Sequence, residues 1–241
     1  MKIIAVIPAR FGSTRFPGKP LEKLKNKPIL QWVVEGARKS QLLKQVIVAT
    51  DDERIRQFCE EIKVDVMMTP TDCPTGTDRI FAATKTIDFD VVVNVQGDEP
   101  LIDQTYIDPL AQAFLRDSAL DMATLAHPLD ASDLENKNAV KVITNENSEA
   151  IYFSRFPIPY SREGFEADKK AALKHIGLYG YTKSFLQKFC STRQTSLEKL
   201  ESLEQLRALY LGAKIKVIEV QKPTYGVDTP EDLRKLEALL K

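Results

Sequence analysis

Two kinds of residue in this sequence suit phosphate chemistry: a run of cations in a glycine-bearing loop, and two carboxylates far from it along the chain. The loop is Pro8-Ala-Arg-Phe-Gly-Ser-Thr-Arg-Phe-Pro-Gly-Lys19. Arg10, Arg15 and Lys19 supply charge there, while Gly12 and Gly18 let backbone N–H groups approach an anion closely. A Walker A loop is excluded, because Gly12 to Gly18-Lys19 is one residue too long and Pro20 stands where the metal-binding hydroxyl belongs. No G-x-G-x-x-G follows the first apolar run, so the dinucleotide fingerprint is missing too. The pattern predicts a nucleoside triphosphate held in another way.

The carboxylates are Asp98 and Asp228. Asp98 ends the apolar run Val91-Val-Val-Asn-Val-Gln-Gly-Asp-Glu-Pro100, where a hard oxygen ligand can hold Mg²⁺ against phosphate. An Asp after a strand is also a common helix cap, but Asp103 or Thr105 can cap the next helix and leave Asp98 free. Asp228 precedes Thr229, a good N-cap, and Pro230, which fits a first helical position; Glu231 and Asp232 suit the positive end of the helix dipole. Asp228 therefore lies just outside the cap, either as a turn residue or, with Asp98, as the second ligand of a metal site.

Strands must carry these groups. Short apolar runs alternate with amphipathic stretches, the βαβ rhythm of a mostly parallel sheet. Strands are expected over Lys2–Pro8, Gln45–Thr50, Val64–Met68 and Asp90–Gln96, with helices starting at Pro28 and over Glu53–Ile62 and Thr77–Ile87. The second half reads as a mixed sheet: Met122–Ala126, Val140–Thr144, Ala150–Phe153, Leu173–Thr182 and Ile215–Val220, a polar loop from Ser154 to Lys170, and helices over Leu197–Leu211 and from Pro230 onward. The expected fold class is α/β, a central mixed, mostly parallel sheet flanked by helices. We read residues 1–241 as one domain, in which 1–120 form mainly the nucleotide-binding half.

Composition excludes several functions. Lys+Arg and Asp+Glu both number 34, so no bulk charge serves a nucleic acid or an anionic membrane surface. Ile3–Ile7 is too short for a signal peptide or a membrane span. Three dispersed cysteines, Cys59, Cys73 and Cys190, fit neither a disulfide framework nor a zinc site, so a reducing cytosol is expected.

The loop motifs, Gly76-Thr-Asp-Arg79, Gln96-Gly-Asp-Glu-Pro100, Tyr152-Phe-Ser-Arg155, His175-Ile-Gly-Leu-Tyr-Gly-Tyr181, Leu203-Glu-Gln-Leu206 and Val227-Asp-Thr-Pro-Glu-Asp-Leu233, taken in this order, resemble the 3-deoxy-manno-octulosonate (Kdo) cytidylyltransferases over essentially the whole chain. The resemblance implies the nucleotide-diphospho-sugar transferase type of α/β fold. It also implies transfer of CMP from CTP to the anomeric hydroxyl of Kdo for lipopolysaccharide assembly, by a magnesium-dependent homodimer in which 121–241 are mainly the sugar-binding and dimerisation half. Carried onto this sequence, Arg10, Ser13 and Lys19 grip the triphosphate, Thr75, Gly76 and Arg79 take the cytidine side, Gln96 bridges nucleotide and sugar, and Lys19 joins Asp98 and Asp228 in the catalytic group.

For the sugar, a period of two puts His175, Gly177, Tyr179 and Tyr181 on one strand face and Ile176 and Leu178 toward the core. Arg155 is either a bidentate partner for the sugar carboxylate or half of a structural salt bridge. Along Leu197–Leu211, Leu200, Leu203 and Leu206 supply apolar contacts, and Glu201, Glu204 and Gln205 share another face. That face is solvated in most proteins; in the resembled family it is a wall that reads sugar hydroxyls. Two rivals stand beside this reading: a cytidylyltransferase for another acidic sugar such as a sialic acid, and a noncatalytic nucleotide- or sugar-binding module.

Overall fold

The structure is a computed structural model that describes residues 1–12, 15–162, 164 and 171–240. Its chain contacts separate two compact units, one formed by residues from Met1 to Ala111 together with the segment from Thr224, the other by Gln112–Pro223. The return of the C-terminal segment puts Asp228 in the same unit as Asp98.

The first unit opens with β1 (Ile3–Pro8), a 3₁₀ turn (Lys19–Leu21) and the short hairpin β2 (Lys23–Leu24) and β3 (Lys27–Pro28). It continues through α1 (Ile29–Arg38), β4 (Leu43–Thr50), α2 (Glu53–Glu61), β5 (Asp65–Met68), α3 (Gly76–Thr84), β6 (Val91–Asn94) and the first part of α4 (Gln104–Arg116), the helix in which the division between the units falls. Strand β1 pairs in parallel with both β6 and β4, and β4 with β5. Every residue of β6 and all but the last of β1 are buried, as continuous apolar strands covered on both faces require. Helices α1 and α3 pack on β1 and β4.

Two helix starts differ from expectation. Pro28 is not the first residue of α1 but precedes it with extended ψ of 143°, because it pairs with Lys23 in the hairpin and the Ile29 N–H is satisfied by the Glu22 carbonyl. Thr75, not Thr77, caps α3, its hydroxyl accepting from the Asp78 N–H at 3.2 Å. The same helix stops at Thr84 rather than Ile87, closed by the Ile87 N–H donating back to the Thr84 carbonyl.

The second unit contains β7 (Met122–Pro128), α5 (Ala131–Leu134), β8 (Lys141–Thr144), β9 (Ala150–Ser154), β10 (Leu173–Thr182), α6 (Lys183–Cys190), α7 (Ser196–Glu201), α8 (Gln205–Tyr210) and β11 (Ile215–Glu219). Here β7 runs antiparallel to β10 and parallel to β11, while β8 is antiparallel to β10 and β9. With the parallel strands of the first unit, this is the α/β class with a mixed, mostly parallel sheet flanked by helices.

The single helix expected over Leu197–Leu211 is two helices, α7 and α8. They are separated at Ser202, whose φ of 53° is left-handed. Arg155 stabilises the break from outside by donating to the Glu201 and Ser202 carbonyls at 2.7 and 3.3 Å, ends that a continuous helix would have used itself. Leu203 and Leu206 are buried as expected, but the break turns Leu200 out, and it is 82% exposed.

Candidate active site

The loop after β1 closes on itself. Gly18 takes φ of 75°, a left-handed conformation that Gly adopts without Cβ strain, and its N–H donates to the Phe11 carbonyl at 2.9 Å. A Cβ on Gly18 would stand 3.0 Å from the Phe11 ring, whose face also receives the Arg54 guanidinium. Phe16, from the same loop, is buried with Leu24, Ile29, Val227 and Leu236. That small core ties the loop to the C-terminal helix Pro230–Leu239.

Asp98 reaches the loop because β6 and β1 end side by side. Gly97 permits this, since a Cβ there would lie 2.6 Å from the Pro8 carbonyl oxygen. The Val227 N–H then donates to the Asp98 carbonyl at 2.9 Å, which joins this turn to the segment carrying Asp228. Thr229 caps the C-terminal helix in a reciprocal box with Asp232, so the Asp228 carboxylate is not used in the cap.

The result is convergence. The Lys19 ammonium donates to Asp98 Oδ2 at 2.7 Å and to Asp228 Oδ1 at 3.3 Å, although 79 and 209 residues separate it from them. Its side chain is only 11% exposed. Arg15 Nη2 adds a second cation, 3.1 Å from Asp228 Oδ1. Sequence reading counted Arg15 among the loop cations without assigning it a partner, and nothing local in the sequence pairs it with Asp228. Glu99 was missed as well: its Oε2 is buried without a hydrogen-bond partner among the described residues. Burial first, then the charge of Asp98, pushes its carboxyl up to about 7 against a hydrogen bond from Thr224.

Two carboxylates that close on one ammonium can close on one metal ion. Two carboxylate ligands suit a hard cation such as Mg²⁺, which is often held by one or two carboxylates and completed by substrate phosphates; among the described residues no group of three or more ligating side chains occurs.

The other predicted nucleotide residues are distributed around this point. Arg10 is exposed on the loop, and Ser13 lies outside the described residues. Gly76 begins α3 against the Pro8 ring, while the Thr75 hydroxyl is engaged with Asp78. Arg79 is 4% exposed, and its guanidinium binds Asp51 at 2.8 Å, Thr69 Oγ1 at 2.5 Å and, more weakly, the Pro70 carbonyl. It is thus a buried link from α3 to residues that follow β4 and β5, not an open reader. Gln96 lies past the end of β6, its amide 3.5 Å from Asn94 Oδ1.

In the second unit, β10 lines up the rings of Phe153, His175, Tyr179, Tyr181 and Phe189 at successive centroid distances of 5.0, 5.4, 5.9 and 6.1 Å. Ile176 and Leu178 face the core as expected. Tyr181 does not join an open floor: at 1% exposure it is a core residue. Burial pushes the His175 imidazole down to about 3, so the ring is neutral near pH 7.

Arg155 has no carboxylate partner for its guanidinium among the described residues; it donates to the Glu201, Ser202 and Lys137 carbonyls. Glu201 in turn accepts from Ser154 Oγ at 2.7 Å and the Arg155 N–H at 2.9 Å. The break at Ser202 therefore separates Glu201 from the face it was expected to share with Glu204 and Gln205. Glu204 is the N-cap of α8 and Gln205 its first residue, 2% exposed, with an Nε2 that has no hydrogen-bond partner among the described residues.

A parallel α/β unit with a cationic, glycine-bearing loop after its first strand, and two acids converging on the loop lysine, defines a nucleotidyltransferase. A family model described as cytidylyltransferase matches residues 4–215, and the chain belongs to the cytidylyltransferase family. It is 59% identical to the 3-deoxy-manno-octulosonate cytidylyltransferase of Bdellovibrio bacteriovorus over 100% of this chain and 98% of that one. To the Trichlorobacter lovleyi protein of the same name it is 44% identical, with 100% and 99% covered. Among solved structures, a CMP:2-keto-3-deoxy-manno-octonic acid synthetase complexed with CTP superposes with a TM-score of 0.94 at 41% identity, over 100% of this chain and 98% of that one. A 4-diphosphocytidyl-2C-methyl-D-erythritol synthase from Anaerococcus prevotii shares the fold at a TM-score of 0.67 and 15% identity, with 99% and 98% covered.

Proposed function

We propose that this protein transfers CMP from CTP to the anomeric hydroxyl of Kdo, releasing pyrophosphate and supplying CMP-Kdo for lipopolysaccharide assembly. The observation that carries the chemistry is the convergence of Lys19, Asp98 and Asp228. The full-length similarity to proteins named for this reaction carries the substrate. The anomeric oxygen attacks the α-phosphorus, its proton leaves, and the bond to pyrophosphate breaks. Such a transfer asks the protein for positioning and charge neutralisation rather than a covalent nucleophile.

In this reading Arg10, Ser13 and Lys19 hold the triphosphate. Thr75 and Gly76 form the cytidine side, and Arg79 braces it from within. Asp98 and Asp228 hold Mg²⁺, which offsets phosphate charge when bound. Gln96, Arg155, His175, Tyr179, Glu201, Glu204 and Gln205 serve the sugar, Arg155 and Glu201 by fixing the turn that starts α8. The resemblance to the family brings a homodimer into the same proposal, and the cysteine pattern brings a cytoplasmic location. Free thiols at Cys59 and Cys73 suit a reducing compartment, and no helix among the described residues is long and apolar enough to cross a membrane.

Pyrophosphate release with CTP, Mg²⁺ and a panel of acidic sugars tests the proposal. Turnover with Kdo is expected; turnover with a sialic acid instead moves the substrate, and tight CTP binding without turnover on any sugar overturns the activity. Lys19→Met is expected to weaken CTP binding by roughly tenfold or more, the scale of one charge-assisted hydrogen bond. It also lowers the melting temperature, because Lys19 is buried between two acids that then repel each other. Unchanged CTP affinity by calorimetry would remove Lys19 from the cradle.

A further inference from the structure

Strand β10 carries two more residues than its partner across one stretch. Ile176 pairs with Leu125 and the next pair is Tyr179 with Thr124, so Gly177 and Leu178 have no opposite residues on β7. Such a bulge removes ladder hydrogen bonds locally. The Thr124 hydroxyl fills the gap, lying 3.2 Å from the Ile176 carbonyl oxygen and 2.9 Å from that of Leu178. The same oxygen is 2.9 Å from His175 Nε2.

A hydroxyl has one proton and two acceptor positions, and a carbonyl oxygen only accepts. The carbonyl contacts and the His175 contact are hydrogen bonds together only when the Thr124 proton is directed to the carbonyls and a lone pair faces His175. Nε2 must carry the proton of that contact. In a neutral imidazole the other nitrogen is then bare. Among the described residues Nδ1 has no hydrogen-bond partner. Two residues further along β10, a Cβ on Gly177 would meet nothing within 4 Å among the described residues.

We propose that Thr124 is a positioning residue for the sugar site: its hydroxyl fixes His175 as the Nε2–H tautomer and so presents Nδ1 as an acceptor to a hydroxyl of the acidic sugar. This rests on the reading of His175 and Tyr179 as sugar-facing. Thr124 itself is fully buried and touches no substrate. It acts through the ring, and through a bulge that its hydroxyl holds open.

The chain has two histidines, so ¹⁵N spectra of the labelled protein resolve two rings, and a His127→Gln variant assigns them. The wild type and Thr124→Ser are expected to show the Nε2–H tautomer at His175 and similar KM values for Kdo. Thr124→Val is expected to give a tautomer mixture and a KM for Kdo raised roughly tenfold, about the worth of one neutral hydrogen bond, with KM for CTP unchanged. An Nδ1–H tautomer in the wild type overturns the proposal even if the valine variant does not fold. An unchanged His175 spectrum in a folded Thr124→Val does the same. His175→Ala with an unaltered KM for Kdo would instead overturn the sugar-facing reading and leave the tautomer assignment standing.

Discussion

Asp98→Asn and Asp228→Asn are each expected to lower turnover of CTP and Kdo by ~100-fold or more, the loss seen when one transition-state electrostatic contact is removed. The double variant is expected to be little worse than either single one. Both carboxylates close on the same point, now occupied by Lys19 Nζ, and groups that act as a unit give strongly non-additive losses. Each substitution removes one of the acids around the lysine, so a Mg²⁺ titration of turnover should move to higher concentration before activity disappears. Folding should change modestly, because Thr229 and Asp232 cap the C-terminal helix without the Asp228 carboxylate, and the Asp98 backbone bond to Val227 does not depend on its side chain. Near-normal turnover in Asp98→Asn would remove the metal assignment. Multiplicative losses would mean separate ions or separate steps.

Much of this site was legible because motifs that end strands declare where they point. The apolar runs that became β1 and β6 stop at Pro8 and Asn94, and in a parallel sheet such ends lie side by side. The cap at Thr229 could be read from local chemistry alone, which isolated Asp228. Local pattern failed where long-range partners decide. Arg79 looked like a ligand-facing cation because its partner Asp51 is 28 residues away. The leucine period runs through Ser202 unbroken, yet the backbone turns left-handed there, and Arg155, 47 residues upstream, takes up its carbonyl. Along β10, the period of two put His175 and Tyr179 on one face, where their rings lie 5.4 Å apart, yet it gave no hint of the bulge at Gly177 and Leu178 or of the burial of Tyr181.

The largest stability effect is expected at a pair that sequence reading did not single out. Arg207 and Glu198 are each 3% exposed, joined by two side-chain hydrogen bonds, of which Nε to Oε2 measures 2.9 Å. Arg207 also donates to the Phe189 and Thr192 carbonyls at 3.3 Å and lies 4.3 Å from the centre of the Phe189 ring. Glu198 meanwhile completes the capping box of α7 with Thr195. One guanidinium thus links α6, α7 and α8. Arg207→Met keeps much of the apolar stem but leaves a buried carboxylate without its countercharge, at a cost of about 3–5 kcal/mol. At ~2–4 °C per kcal/mol for a chain of this size, the melting temperature falls by roughly 10 °C. Adding Glu198→Leu removes the stranded charge, and the double variant is expected to recover a large part of the loss, less the capping contribution of about 1 kcal/mol. Urea unfolding of the wild type, both single variants and the double variant measures the coupling directly. A loss below about 1 kcal/mol in Arg207→Met, or a double variant no more stable than that single one, would show that the pair is not what holds the three helices together.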